Sequence, residues 1–156
     1  MAEHSTLTLT LEGGDVVIRL RPDLAPEHVR RIAELANEGF YDGVVFHRVI
    51  DGFMAQTGDP KGTGEGGSAL PDIAAEFNAL PHMRGTVSMA RTEDPNSANS
   101  QFFIMFAPNQ SLDNQYTVWG RVVSGMEAVD KIKRGSGPNG IVQGPDKLLR
   151  ARIATA

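Results

Sequence analysis

Only two stretches of this sequence place apolar side chains at helical spacing, and they lie far apart in the chain. The first opens at Pro26, where a helix tolerates proline. Val29, Ile32, Ala33 and Ala36 then fall at i, i+3, i+4 and i+7 before Gly39, which predicts a helix over 26–38. The second follows Ser124, with Glu127 three residues on as a capping box. Met126, Val129 and Ile132 run on to Lys131, Lys133, Arg134 and Gly135, which predicts a helix over 125–134. Successive parallel strands need long crossovers, usually helical, and two helices are too few to supply them. The chain is therefore expected to be mainly β and antiparallel, a barrel or a sandwich with helices over its open ends.

The strand runs are short and evenly punctuated. Leu7, Leu9 and Leu11 alternate with threonines, and after Gly13-Gly14 the residues Val16, Ile18 and Leu20 continue on one side, a hairpin with one buried face. Val44 to Ile50 and Phe53 to Thr57 flank Asp51-Gly52 as a second hairpin. Thr86–Ala90, Gln101–Phe106, Thr117–Val123 and Lys147–Ile153 complete the expected strands, with Asp94-Pro95-Asn96 as turn chemistry between the first two. A length of 156 residues fits one domain, 1–156.

Composition removes several classes of function. With 40% hydrophobic and 22% charged residues the chain reads as soluble and globular, and no run approaches the ~20 apolar residues of a membrane span. The opening residues Met1 to Thr6 carry no secretory signal pattern, so the cytoplasm is the expected compartment. A formal charge of −4 argues against nucleic acid as partner, although a small basic patch is compatible with it. The absence of cysteine excludes disulfides, thiol catalysis and cysteine-ligated metals. His4, His28, His47 and His82 lack ligand spacing, so neither metal nor cofactor is expected. Gly62 to Gly67 matches G-x-G-x-x-G, but it follows Asp59-Pro60 and is soon followed by Pro71. A dinucleotide turn joins a strand to a helix, so this run reads instead as a surface loop.

The informative segment is Phe46-His-Arg-Val-Ile-Asp-Gly-Phe-Met-Ala-Gln-Thr-Gly-Asp59. Taken alone it is either a core-facing hairpin with one solvated arginine, or a hydrophobic groove holding one guanidinium and one amide, suited to a peptide. Together with Gly85 to Ala90, Asn99 to Ile104 and Leu112 to Gly120 leading into Gly125-Met126, it resembles the cyclophilins, a family of peptidyl-prolyl cis-trans isomerases. The likeness runs from about residue 6 to 154. It implies a closed eight-stranded antiparallel β-barrel capped by two α-helices. A barrel that small is filled by side chains, so the site is expected on its outer surface.

By motif position the resemblance makes Arg48 the catalytic arginine. Phe53, Met54, Phe103 and Leu112 become walls of a proline pocket, and Gln56, Ala90, Arg91 and Gln101 positions along the peptide groove. Gln56 is expected to orient Arg48. Tyr116 stands where many members carry histidine, Asp51 where some carry proline, and Ser111 where cyclosporin-sensitive members carry tryptophan. Weak cyclosporin binding is the expected consequence, because serine supplies neither the aromatic area nor the donor. The implied partners are proline-containing peptides and folding proteins, bound by a monomer. Two other readings stand beside this one: a peptide-binding module of the same fold without turnover, and a nucleotide binder using the glycine loop.

Hairpin register decides whether Gln56 can reach Arg48. A two-residue turn at Asp51-Gly52 pairs Arg48 with Ala55. A three-residue loop, Asp51-Gly52-Phe53 with glycine in the left-handed region, pairs Ile50 with Met54 and Arg48 with Gln56, and this second register is the one predicted.

Overall fold

Burial follows the period-two pattern from the first strand onward. The computed structural model describes residues 6–154; the opening residues, on which the reading of no secretory signal rests, lie outside these, as does His4. In β1 (Thr6–Leu11) the three leucines are buried and the threonines half-buried, and β2 (Gly14–Leu20) buries Val16, Ile18 and Leu20 opposite them. Each such side chain contributes roughly 1.5–3 kcal/mol by leaving water. Helix α1 (Pro26–Asn37) buries Val29, Ile32, Ala33, Leu35 and Ala36 against this core. Its N-cap, Ala25, offers no side-chain acceptor. The Glu76 carboxylate takes over from a distant loop, accepting from the Glu27 and His28 backbone N–H groups at 3.2 and 2.9 Å. It thereby satisfies two orphan donors and places negative charge at the positive end of the helix.

The remaining strands are β3 (Val44–Val45), β4 (Arg48–Ile50), β5 (Met54–Thr57), β6 (Thr86–Met89), β7 (Phe102–Met105), β8 (Val118–Ser124) and β9 (Lys147–Ala154). All nine form one curled antiparallel sheet in the order β3-β9-β1-β2-β8-β6-β7-β5-β4. The expected closed eight-stranded barrel is thus corrected to nine strands whose ladder does not close. The cause lies in Val44 to Ile50, which was expected to be one strand. Phe46 and His47 are both buried and interrupt it, so β3 pairs with β9 while β4 pairs with β5. The two ends of the sheet are joined covalently through these two residues. Around them, Phe46 N–H donates to the Asp146 carbonyl (2.9 Å) and Thr57 Oγ1 to the Val45 carbonyl (2.9 Å).

Helix α2 is also shorter than expected, Met126–Asp130 rather than 125–134. Strand β8 runs through Ser124, so the capping box does not form, and Gly125 in the left-handed conformation (φ 87°) is the N-cap. Beyond Asp130 the chain continues as i to i+3 turns, Lys131 to Ala128 and Ile132 to Val129. The Asp146 carboxylate accepts from Lys133 N–H at 2.8 Å, and this backbone donor is thereby taken out of any helical continuation. The other elements differ from expectation by one or two residues at their ends. A short 3-10 turn at Gln110–Leu112 is an element that the sequence pattern does not announce.

Candidate active site

The β4–β5 hairpin adopts the predicted register, with Ile50 opposite Met54, Val49 opposite Ala55 and Arg48 opposite Gln56. Gly52 sits at φ 74°, a conformation that L side chains rarely adopt, and Phe53 N–H closes the loop onto the Ile50 carbonyl at 3.0 Å. Pairing continues from Gln56 to Phe103 and from Phe103 to Ser88, so Arg48, Gln56, Phe103 and Ser88 form one row across four strands. Alternation puts this row on the outside. Ala55, Phe102 and Ile104 belong to the main core, whereas Met54, Phe103 and Met105 form a second cluster with Ile50, Phe53, Ala90, Leu112 and Tyr116 packed against it.

These residues enclose a cavity of about 140 Å³ lined by Arg48, Phe53, Met54, Gln56, Ala90, Arg91, Phe103, Leu112 and Tyr116. Ligand pockets usually measure roughly 300–1,000 Å³, so this one fits a single side chain or ring. It opens beside a larger depression of about 480 Å³ that shares Gln56, Ala90 and Arg91 and adds Gln101. All ten expected site residues therefore meet in one groove. Tyr116 closes a wall, edge-on to Phe103 with ring centroids 5.6 Å apart, and the Arg91 guanidinium lies 4.6 Å from the centre of the Tyr116 ring. The Arg91 side chain also donates to the Gln115 carbonyl through Nε (2.9 Å) and Nη2 (2.6 Å), holding that wall in place.

A chain of hydrogen bonds fixes the guanidinium. Gln101 Nε2 donates to the Gly64 and Gly66 carbonyls (3.0 and 2.9 Å), and Gln56 Nε2 donates to Gln101 Oε1 (2.8 Å). Arg48 Nη1 donates to Gln56 Oε1 (3.1 Å), while its Nε donates to the Asn139 carbonyl (2.9 Å). Both amide orientations follow, because each oxygen in the chain must accept. Arg48 Nη2 has no hydrogen-bond partner among the described residues.

The glycine loop that anchors this chain surrounds a carboxylate belonging to the protein. Asp59 is fully buried and accepts from the backbone N–H of Lys61 (2.8 Å), Thr63 (2.9 Å) and Gly64 (2.6 Å). Burial alone would push its carboxyl up, but these donors and the Gly66 N–H outweigh that and bring it down to about 2.

The whole chain can be set beside known proteins. The family model described as cyclophilin-type peptidyl-prolyl cis-trans isomerase/CLD matches residues 6–153. The chain belongs to that family. A probable peptidyl-prolyl cis-trans isomerase of Brucella suis biovar 1 is 57% identical over 162 aligned positions, covering 96% of this chain and 83% of the relative. The peptidyl-prolyl cis-trans isomerase-like 1 protein of Aspergillus niger is 40% identical, covering 90% and 89%. Among solved structures, a Cryptosporidium parvum cyclophilin crystallised in the presence of the dipeptide Ala-Pro superposes with a TM-score of 0.90 at 26% identity, covering 97% of this chain and all of that one. The cyclophilin AquaCyp293 of Hirschia baltica gives 0.85 at 29%, covering 95% and 73%. This cyclophilin is a peptidyl-prolyl cis-trans isomerase.

The cyclophilin groove also draws on residues outside the expected site. Met105 shares a face with Phe103 and is recoverable from alternation alone. His82 is not: it lies buried behind the pocket, stacked on Phe103 (6.2 Å), with Nδ1 3.1 Å from Asp113 Oδ1 and Nε2 2.9 Å from Ser88 Oγ. Burial pulls its imidazole below the ordinary value, against the opposing pull of Asp113. The Asn139 carbonyl comes from a loop with no distinguishing pattern, held where Gly140 (φ 68°) crosses β4 so closely that a Cβ would lie 2.8 Å from the Val49 carbonyl oxygen. Gly140→Ala is expected to cost about 1–2 kcal/mol and to lower the Tm by about 5 °C. The isomerase rate should fall several-fold as the Asn139 carbonyl moves off Arg48. An unchanged rate would show that this contact does not position the guanidinium.

Proposed function

We propose that Arg48 accelerates X-Pro isomerisation by donating to the proline nitrogen as the amide twists, with the 140 Å³ pocket holding the pyrrolidine ring. The observation that carries this reading is the arginine itself. Two of its nitrogens are tied to Asn139 and Gln56, and the third has no partner among the described residues and lies beside the cavity walled by Phe53, Met54, Phe103 and Leu112. The uncatalysed reaction crosses a barrier of about 18–20 kcal/mol and breaks no bond. In the planar amide the nitrogen lone pair is delocalised and accepts poorly. In the twisted state it is localised, so a fixed donor binds the transition state better than the ground state, which is the condition for raising the rate. Because Nε and Nη1 are already fixed, little reorganisation remains at the moment of twisting.

Phe103, Met54, Phe53 and Leu112 exclude water from this contact and strengthen it. Gln101, Ala90 and Arg91 line the groove on which the residues preceding the proline would lie. The Ala-Pro dipeptide accompanying the Cryptosporidium structure supports proline-containing peptides as the substrate class here. Exchange NMR on a short X-Pro peptide tests the reading: a catalytic amount of protein is expected to produce cis-trans exchange peaks. Binding without exchange would leave only a peptide-binding module.

Weak cyclosporin affinity belongs to the same proposal. Ser111 is exposed, and its hydroxyl and N–H are both taken up by Asn109 Oδ1 (2.6 and 3.1 Å), so it presents no apolar wall. Ser111→Trp is expected to tighten cyclosporin binding about tenfold or more, since an indole adds area and a donor. Equal affinity of the two proteins by calorimetry would place the cause of weak binding elsewhere.

A further inference from the structure

The outer face of β2, β6 and β8 carries a second groove, of about 1300 Å³, that shares no residue with the proline pocket. At its floor the register of β2 on β8 sets Arg19 directly opposite Arg121, both exposed. Like charges directly opposite across an antiparallel pair destabilise it. Among the described residues nothing relieves this. The adjacent Arg21 and Arg84 are neutralised by Asp23 (2.8 Å) and Asp130 (2.6 Å), whereas Arg19 and Arg121 make no ion pair or side-chain hydrogen bond among the described residues. The walls around them combine the paired Arg21, Asp23 and Arg84 with apolar side chains, among them Met83 and Val123, which are 50% and 57% exposed.

We propose that this groove binds polypeptide segments in which an acidic side chain is flanked by apolar ones. The carboxylate bridges Arg19 and Arg121, converting a repulsive pair into two charge-assisted hydrogen bonds. Its apolar neighbours cover Met83 and Val123. Charge complementarity selects the acidic residue, and the exposed Met83 and Val123 select polypeptide over a bare phosphate, which would leave them in water. Nucleic acid would need a broad basic surface, whereas the other two arginines of this groove, Arg21 and Arg84, are already paired with Asp23 and Asp130.

Fluorescence anisotropy with a labelled, proline-free Leu-Glu-Leu-Asp-Phe peptide tests this. The wild type is expected to bind in a salt-sensitive manner, with Arg19→Ala/Arg121→Ala weakening binding by about tenfold or more and Val123→Ser by several-fold. The double variant should melt no lower than the wild type, because a repulsion has been removed, and its X-Pro exchange rate should be unchanged. Equal binding by the double variant overturns the proposal. So does equal binding of a lysine-substituted peptide. Undiminished binding of a Gly-Glu-Gly-Asp-Gly peptide would show that the groove reads charge alone, and overturns the apolar half.

Discussion

Replacing Arg48 with alanine is expected to lower the X-Pro exchange rate by about two to three orders of magnitude, the usual cost of deleting one preorganised donor to developing charge. The Tm should change little. Arg48 is half-buried at the outer face, and its removal opens no hole in the main core, to which it does not belong. Gln56 and Gln101 would still be joined to each other and to the glycine loop. Arg48→Lys separates charge from geometry. An ammonium restores the positive charge but lacks the planar fork needed to hold the Asn139 carbonyl, the Gln56 amide and a substrate nitrogen together, so most of the loss should persist. A folded alanine variant within about threefold of the wild-type rate would sink the arginine mechanism while leaving the family assignment untouched.

The second large effect concerns Asp59. Substitution by alanine would strip the backbone donors of Lys61, Thr63 and Gly64 of their buried acceptor, a loss of about 3–5 kcal/mol by analogy with breaking other charged hydrogen-bond networks. At about 2–4 °C per kcal/mol for a chain of this size, the Tm should fall by roughly 10 °C. Acid stability gives an independent check. The Asp59 carboxyl is brought down from 3.8 to about 2 in the folded protein, so the unfolded chain takes up the proton first as pH falls. Its contribution, on the order of 2 kcal/mol, is fully present above pH 4 and is lost as pH drops through about 2. Asp42, Asp113 and Asp130 are lowered too, chiefly by hydrogen bonds from Arg152, the His82 backbone and Arg84 respectively. The difference between wild type and Asp59→Ala in urea titrations from pH 5 to 2 therefore isolates the Asp59 share. Parallel curves would mean that the loop does not depend on this carboxylate.

Local chemistry was legible in the sequence where the outcome depends on neighbours in the chain. The Asp51-Gly52 loop set its own register, and the leucine alternation of β1 set its own face. The gathering of Phe103, Leu112 and Tyr116 at one pocket came from family resemblance, since no spacing rule brings three separate segments together. What stayed hidden depends on contacts across the fold. Glu76 caps α1 from a loop dozens of residues later, Asp146 meets the Lys133 N–H beyond α2, and a glycine that passes over β4 carries the carbonyl that holds Arg48. The glycine run is legible as a loop from its Gly and Pro content. That Asp59 organises it is not legible, because a buried carboxylate and a solvated one look alike in sequence.

The split of Val44 to Ile50 leaves the sheet with a very short strand at each end. Extended polypeptides are prone to add themselves to any exposed β-strand as an extra rung. Here the terminal strands have only two and three residues, too short to template a rung. The outer edge of β4 is already occupied by the Gly135 and Gly140 backbone, and beyond β3 the Ala151 N–H is met by the Asp42 carboxylate. Among the described residues the sheet therefore offers an extended peptide no long free strand at either end on which aggregation could start.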